Sequence, residues 1–406
     1  MQVSVDQAAI ANVHELVKAR RPGFALSGTF YTSPAIFDHD IKAFWNKNWI
    51  WVGHVSQIPE PGNFFRFDYA SESIVVVRDR QGKIHAHLNV CRHRGSRICL
   101  EASGKTSVLS CPYHAWTYDL DGSLRTDRQM DGQFDRADYS LFSASLKVFQ
   151  GLIFVCLSDQ PPEIEPALQR LAPLTRPFGI EDLKVVRTAS FPVPANWKLA
   201  LENYLECYHC APAHKEYSRS HSLKDPASMT DHLLSTLADN SRQAGLPADV
   251  LNETGPDAEN LGSDIYYRRY PLYPGYKTGS RSGEPVAPLL GDITRYDGGA
   301  TDVMIGPLNS FLAYADHIVG YRFIPRTLQE TDIQVVWMVR GDAVEDRDYS
   351  IEELTWLWDV TSRDDERIIR YNQEGVNSTA FKPGPLSNME WGIETFYHGY
   401  LRRITG

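Results

Sequence analysis

The spacing of hydrophobic and polar positions changes twice along this chain. In Ala35-Ile-Phe-Asp-His-Asp-Ile-Lys-Ala-Phe-Trp45 the apolar residues recur at helical intervals, which predicts a helix within a partly helical N-terminal segment, residues 1–44. From Trp49 to about Cys156 the pattern becomes short apolar runs: Ile50–Val55, Phe64–Tyr69, Ser73–Arg78, Ile84–Val90 and Gly151–Leu157. Pro/Gly and Asp/Gln/Gly turns divide them. These runs predict a small all-β domain over residues 45–160. Asp159-Gln-Pro-Pro-Glu163 reads as a boundary. Beyond it, strands at Val185–Phe191, Phe311–Tyr314, Ile318–Phe323 and Ile333–Val339 mix with helices from Trp197 to about Ala211 and from Ile351 to about Glu374. Residues 161–406 therefore read as an α+β domain. Between His221 and Asp302 periodicity is weak and Gly, Pro, Ser and Asp abound, which predicts long loops of the kind that serve as lids.

Composition narrows the function. At 406 residues and 42% hydrophobic, the chain is long enough for two folded cores. A net charge of −10 argues against nucleic acid as a partner. No apolar run approaches the ~18 residues of a membrane span, and the N-terminus lacks the apolar core of a signal peptide. The expected location is the cytoplasm, where cysteines serve as thiols or metal ligands more often than as disulfides.

Two short motifs carry the first candidate chemistry. Cys91-Arg-His93 and Cys111-Pro-Tyr-His114 each offer one thiolate and one imidazole, and each follows a strand-like run. A Rieske [2Fe–2S] cluster takes two thiolates on one iron and two imidazoles on the other, so two facing loops of this kind can hold it. A tetrahedral zinc site is the alternative, but zinc fingers usually pair Cys with Cys and His with His. The remaining cysteines, Cys99, Cys156, Cys207 and Cys210, read as buried thiols.

The second candidate site lies in Asn196-Trp-Lys-Leu-Ala-Leu-Glu-Asn-Tyr-Leu-Glu-Cys-Tyr-His-Cys-Ala-Pro-Ala-His214. His209 and His214 are five residues apart, so a regular helix would point them to different faces. Pro212 breaks the helix near that point and lets the two rings meet. With one carboxylate from elsewhere they would form a 2-His-1-carboxylate triad with open positions for O₂ on ferrous iron. Glu206 falls one helical turn before His209 and can orient its ring. No dinucleotide-binding glycine motif follows a strand, so the chain is not expected to bind NADH.

Cys91-Arg-His-Arg-Gly-Ser96 and Cys111-Pro-Tyr-His-Ala-Trp-Thr-Tyr-Asp-Leu-Asp-Gly122 resemble the Rieske domain of the catalytic subunits of non-haem iron oxygenases. The resemblance implies an N-terminal all-β Rieske domain and a helix-grip-like α+β domain holding mononuclear Fe(II). It implies O₂ as co-substrate, a homotrimer, and a separate reductase that carries the flavin and oxidises NADH. In that family an Asp precedes a Gln by eight residues. Asp365 and Gln373 have this spacing, which makes Asp365 the expected third ligand, with Asp364 as substitute and Glu366 behind it.

The family's carboxylate at position 206 links the iron-ligand His to a cluster-ligand His of a neighbouring subunit. It is usually Asp. Glu206 and the string Glu202-Asn-Tyr-Leu-Glu-Cys-Tyr-His209 resemble the subgroup that oxidises quaternary ammonium compounds such as glycine betaine, proline betaine and carnitine. The implied reaction hydroxylates an N-methyl group, with loss of formaldehyde. Asn203 and Tyr208 are expected beside the iron. Tyr204, Trp391, Phe396 and Tyr397 are expected around a small cationic or zwitterionic substrate, with Tyr266, Tyr267, Tyr270 and Tyr314 as further candidates. Rival readings are an aromatic-ring-hydroxylating dioxygenase with the same metals, an electron carrier using the Rieske domain alone, and a zinc-bound interaction module.

Overall fold

A computed structural model describes residues 13–130, 132, 134–221, 227–248, 252–255 and 265–406. The chain forms two compact units. One is Trp49–Pro161; the other joins the N-terminal residues up to Asn48 to Pro162–Gly406.

The smaller unit is built from β1 (Ile50–His54), β2 (Asn63–Tyr69), β3 (Glu72–Arg78), β4 (Ile84–Leu88), β5 (Ser103–Lys105), β6 (Leu109–Ser110), β7 (Thr117–Tyr118), β8 (Leu124–Thr126), β9 (Ser145–Phe149) and β10 (Leu152–Cys156). They pair as three antiparallel sheets, β1-β10-β9, β4-β3-β2-β5 and β6-β7-β8. Apolar strand residues Phe64, Val75 and Val77 bury against Leu109, Trp116 and Tyr118, and Cys91 and Cys111 sit in the same core. Apart from the seven-residue β2 and β3, the strands of this unit have two to five residues, so loops carry much of the surface.

In the larger unit β11 (Leu183–Val193), β12 (Asn252–Gly255), β13 (Ile265–Pro271), β14 (Gly299–Ile305), β15 (Ser310–Ala313), β16 (Ile318–Thr327) and β17 (Glu330–Arg340) form one antiparallel sheet in the order β11-β17-β16-β15-β14-β13-β12. The helix Ile351–Val376 buries Leu354, Trp358, Thr361, Ser362, Ile369, Gln373 and Val376, a stripe at helical period. Its last residues pass beside the N-terminal segment, where a Cβ added at Gly28 would stand 3.5 Å from the Val376 carbonyl oxygen.

The expected helix at Ala35–Trp45 is present, but its second half, Ile41–Trp45, is a π-helix after the α-helical Pro34–Asp40. The expectation of loops across residues 221–302 needs correction. That stretch holds the helix Ala227–Ala244 and the strands β12, β13 and most of β14. Charge hid the strand signal: Arg268 and Arg269 sit in β13, and Arg269 is buried because Asp297 and Thr301 neutralise and bond it. Part of the expected lid falls at residues outside those described.

Candidate metal centres

The two Cys–His loops of the smaller unit are conformational copies. The Cys91 N–H donates to the Ser96 carbonyl at 2.8 Å and the Gly95 N–H to the Cys91 carbonyl at 2.9 Å; the Cys111 N–H donates to the Trp116 carbonyl at 2.8 Å and the Ala115 N–H to the Cys111 carbonyl at 3.0 Å. The turn requires a left-handed residue four after each cysteine, and Gly95 and Ala115 both have positive φ, +78° and +59°. Asn89 fixes the first loop from below. Its Oδ1 accepts the N–H groups of Ile98 and Cys99, and its Nδ2 donates to the Cys99 carbonyl.

Both cysteines are 3% exposed, whereas His93 and His114 stand further out with their rings 4.7 Å apart. His93 stacks on Trp116 at 4.9 Å, and the Tyr118 hydroxyl lies 3.3 Å from Cys91 Sγ while accepting the Arg92 N–H. His93 Nδ1 is buried without a hydrogen-bond partner among the described residues. Two buried sulfurs and an unpaired imidazole nitrogen fit a cluster bound through thiolates and imidazoles.

The second centre depends on where a helix stops. The motif helix starts at Trp197, capped by Asn196, whose Oδ1 accepts the Lys198 N–H at 3.1 Å. It was expected to run to about Ala211 and instead ends at Tyr204. The physical reason is Glu206. One carboxylate oxygen takes the N–H of Tyr208 and, at 3.2 Å, that of His209, so these donors are lost to a continuing helix. Gly392 of the helix Trp391–Thr405 lies close alongside; a Cβ there would meet the Leu205 carbonyl oxygen at 2.2 Å. Glu206 is therefore not a helical neighbour of His209, yet its other oxygen still reaches His209 Nδ1 at 2.5 Å.

His209 and His214 flank a single helical turn, Cys210–Ala213. Pro212 lies inside that turn, where its missing N–H has no intrahelical partner to lose. The ring nitrogens His209 Nε2 and His214 Nε2 are 3.0 Å apart, and Asp365 Oδ1 lies 3.4 Å from the first and 3.0 Å from the second. These three ligand atoms fall within 4.8 Å of one another. Neither approach to Asp365 Oδ1 has hydrogen-bond geometry at that oxygen. Convergent lone pairs on a buried carboxylate fit a shared metal ion rather than a shared proton, and two imidazoles with one carboxylate suit ferrous iron. Without metal, burial opposes a charge on His209, but the carboxylates of Asp365 and Glu206 outweigh it and lift the ring to about 9.

Asp365 continues the buried stripe of its helix, three residues after Ser362 and four before Ile369. Asp364 is turned away: it is more exposed, pairs with Arg367 at 3.2 Å and stays 3.7 Å from His214 Nδ1. Glu366 forms no ion pair with either histidine among the described residues. Asn203 Nδ2 stands 3.4 Å from His209 Nε2. Tyr208 does not flank the triad; its ring is 57% exposed and only its backbone takes part, through Glu206. Cys207 and Cys210, expected as free thiols, form a disulfide across His209, because the turn brings their Cα atoms to 4.8 Å. Cys91, Cys99, Cys111 and Cys156 form no disulfide, and burial pushes the Cys99 thiol up to about 11.

Aromatic rings fill the space between the triad and the sheet. Tyr217 meets His214 edge-on at 6.3 Å, stacks on His221 at 3.8 Å and lies 5.7 Å from Trp358. Tyr321 lies 5.8 Å from Trp358 and 4.9 Å from Tyr204. Tyr314 donates to or accepts from His221 Nε2 at 2.9 Å. Of the expected substrate walls, Tyr204, Tyr270 and Tyr314 join this group, and Trp391 lies at its edge, 5.7 Å from Tyr266. Tyr267 is wholly buried, in register between the outward neighbours Tyr266 and Arg268. Phe396 and Tyr397 need correction. Phe396 packs in a core of Phe44, Trp197 and Tyr400, and Tyr397 bonds Tyr31 near the buried Glu202. Tyr217, Tyr321 and Trp358 escaped the sequence reading; Tyr217 opens the short helix Tyr217–Ser220 three residues after His214, and that closeness in sequence is the signal that was available.

Family models match both units: the Rieske [2Fe-2S] domain over residues 48–149, and the ring hydroxylating alpha subunit (catalytic domain) over residues 180–406. The chain belongs to the Rieske oxygenase alpha subunits. As a member of that family it is an oxidoreductase with a Rieske [2Fe–2S] cluster and a mononuclear non-haem iron, using O₂ as co-substrate. It is 33% identical over 393 residues to the glycine betaine monooxygenase oxygenase subunit of Pseudomonas aeruginosa, covering 96% of this chain and 91% of that protein. It is 38% identical over 201 residues to the carnitine monooxygenase oxygenase subunit of Acinetobacter pittii, covering 47% of this chain and 53% of that protein. Among solved structures, the quaternary ammonium Rieske monooxygenase CntA with L-carnitine matches with TM-score 0.71 at 22% identity, over 94% of this chain and 96% of that one. Naphthalene 1,2-dioxygenase with phenanthrene matches with TM-score 0.68 at 19% identity, over 95% and 93%. The fold of this Rieske oxygenase is thus shared by enzymes with very different substrates. Among its described residues no helix is long and apolar enough to cross a membrane.

Proposed function

We propose that this oxygenase hydroxylates an N-methyl group of a quaternary ammonium or betaine substrate, which then loses that carbon as formaldehyde. The observation that carries the reading is the group of aromatic rings next to the iron triad, in which Tyr217 meets His214 edge-on and Tyr204, Tyr321 and Trp358 pack beside it. A permanent cation cannot donate hydrogen bonds and is held by aromatic faces. Likeness across nearly the whole chain to a glycine betaine monooxygenase supports the same substrate class.

His209, His214 and Asp365 would hold the iron, and Cys91, His93, Cys111 and His114 the cluster. When bound, the iron supplies O₂ activation and the cluster supplies single electrons. The protein's own part is positioning. Glu206 holds the His209 ring by Nδ1, which leaves Nε2 free to face Asp365. Asn203 offers an amide N–H at the same nitrogen's edge. The rings exclude water from the carbon to be oxidised. Once hydroxylated, that carbon bears both N and O–H; C–N cleavage with transfer of the hydroxyl proton gives formaldehyde and the tertiary amine.

Electrons come from NADH through a separate flavin and iron–sulfur reductase, and the assembly is a homotrimer in which Glu206 joins the two metal sites across subunits. Reconstitution with NADH and a generic reductase, followed by a screen of betaines and aromatic acids, tests the reading. Formaldehyde from a betaine, coupled to O₂ uptake, is the expected result. Diol from an arene with no formaldehyde would replace this substrate class with that of a ring dioxygenase.

A further inference from the structure

Asp302 is a carboxyl group on the ring-bearing face of the sheet that the iron chemistry leaves unused. It stands on β14 between Thr301 and Val303, both buried on the opposite side of the strand. Its register partners are Arg268 on β13 and Leu312 on β15. Two residues along, Met304 is in register with Tyr266 and Ser310, and Ser310 with Tyr321. Asp302 therefore projects from the sheet face that carries Tyr266 and Tyr321.

The side chain is half-buried and keeps accessible surface on that face. Its charge acts on Tyr204, Tyr266, Tyr270 and Tyr314, and on two rings that the iron-ligand carboxylate Asp365 also reaches, Tyr217 and Tyr321. Tyr217 in turn meets His214 edge-on at 6.3 Å. Burial lifts the Asp302 carboxyl to about 7, with Arg268 only partly offsetting it. Arg268 is exposed and forms no ion pair with Asp302, and no hydrogen bond to the carboxylate is made among the described residues.

A half-buried carboxylate whose burial Arg268 only partly offsets is costly to ionise, and a ligand that brings the opposite charge relieves the cost. The ligand must be a cation that tolerates tyrosine and tryptophan faces on its other sides. A quaternary ammonium head meets both demands, since it needs an anion within Coulomb reach rather than a hydrogen-bond acceptor. A neutral arene meets neither.

We propose that Asp302 is the counter-charge for the substrate's quaternary ammonium head and sets the preference of this site for permanent cations over neutral molecules of the same shape. The inference rests on the quaternary-amine reading above. It assigns Asp302 a role in binding and none in oxygen chemistry.

The test uses metallated wild-type enzyme, Asp302→Asn and Asp302→Glu. Calorimetry measures binding of choline and of its neutral neohexyl analogue, in which carbon replaces nitrogen; formaldehyde release with glycine betaine, carnitine and choline gives KM and kcat. Asp302→Asn is expected to weaken choline binding by at least about tenfold and to raise KM for the best amine likewise, with kcat within about twofold. Binding of the neutral analogue stays unchanged, and Asp302→Glu recovers part of the loss. Iron content and melting temperature verify that each variant is folded, and if Asp302→Asn does not fold, Asp302→Ser, which also removes the charge, is read by the same choline-to-neohexyl ratio. An unchanged ratio in a wild type that does demethylate amines overturns the role of Asp302 and leaves the function standing. A wild type that binds both probes equally and releases formaldehyde from no amine overturns both.

Discussion

The side-chain carbonyl of Gln373 accepts the backbone N–H of Asn196 at 2.8 Å. Gln373 lies on the inward stripe of the helix that bears Asp365, and Asn196 caps the helix that leads to His209. One buried amide thus ties the segment carrying the carboxylate to the segment carrying both histidines.

Gln373→Ala is expected to leave the Asn196 N–H buried and unpaired, at a cost of about 1–3 kcal/mol. Thermal unfolding should register that loss. Mononuclear iron should fall with it while cluster absorbance stays constant, because the Rieske unit holds no part of this link.

The two neighbouring aspartates should separate cleanly. Asp365→Ala is expected to reduce iron from about three to about two per chain, since a triad reduced to two imidazoles keeps iron poorly. Asp364→Ala should leave about three. Metal analysis of the purified variants decides it, and equal losses at both positions would contradict the geometry.

Ala115 holds a left-handed conformation that Gly95 holds without strain in the matching loop. Ala115→Gly should stabilise the cluster loop by up to about 1 kcal/mol, and Ala115→Val should destabilise it by more than that. Unfolding followed at the visible absorbance of the cluster is the measurement.

Glu202 is buried beside Tyr31 and Tyr397, and burial raises its carboxyl to about 8, with Lys198 opposing and Glu390 adding to the shift. For an acid whose folded pKa lies above its unfolded value, stability is fully present below about 4.5 and declines as pH rises through about 8. Glu202→Gln should flatten that decline and be the more stable form at pH 9. Melting temperatures of the two proteins between pH 5 and pH 9 check the sign.

Much of the fold was legible because its signals are local. The short apolar run in Ser73–Arg78 and the stripe from Leu354 to Val376 mark a strand and a helix without reference to anything distant. The cysteine and histidine motifs were legible because their spacing is the chemistry. What stayed hidden depends on tertiary partners. Arg269 can occupy a buried strand position only because Asp297, twenty-eight residues later, meets it. The helix at Trp197 stops early because Glu206 folds back on Tyr208 and His209, a competition that helix propensity does not reveal. Phe396 and Tyr397 resembled pocket walls in composition, but ring type alone does not tell a wall from a core.

The near-contact between Gly392 and the Leu205 carbonyl constrains any redesign of this enzyme. Trp391, at the rim beside Tyr266, is an inviting position for altering which molecules enter. Its neighbour admits no side chain at all: even one methyl group would drive the C-terminal helix away from the turn that carries Glu206 and His209. Libraries aimed at new selectivity can vary the residue before it freely, while position 392 has to remain hydrogen.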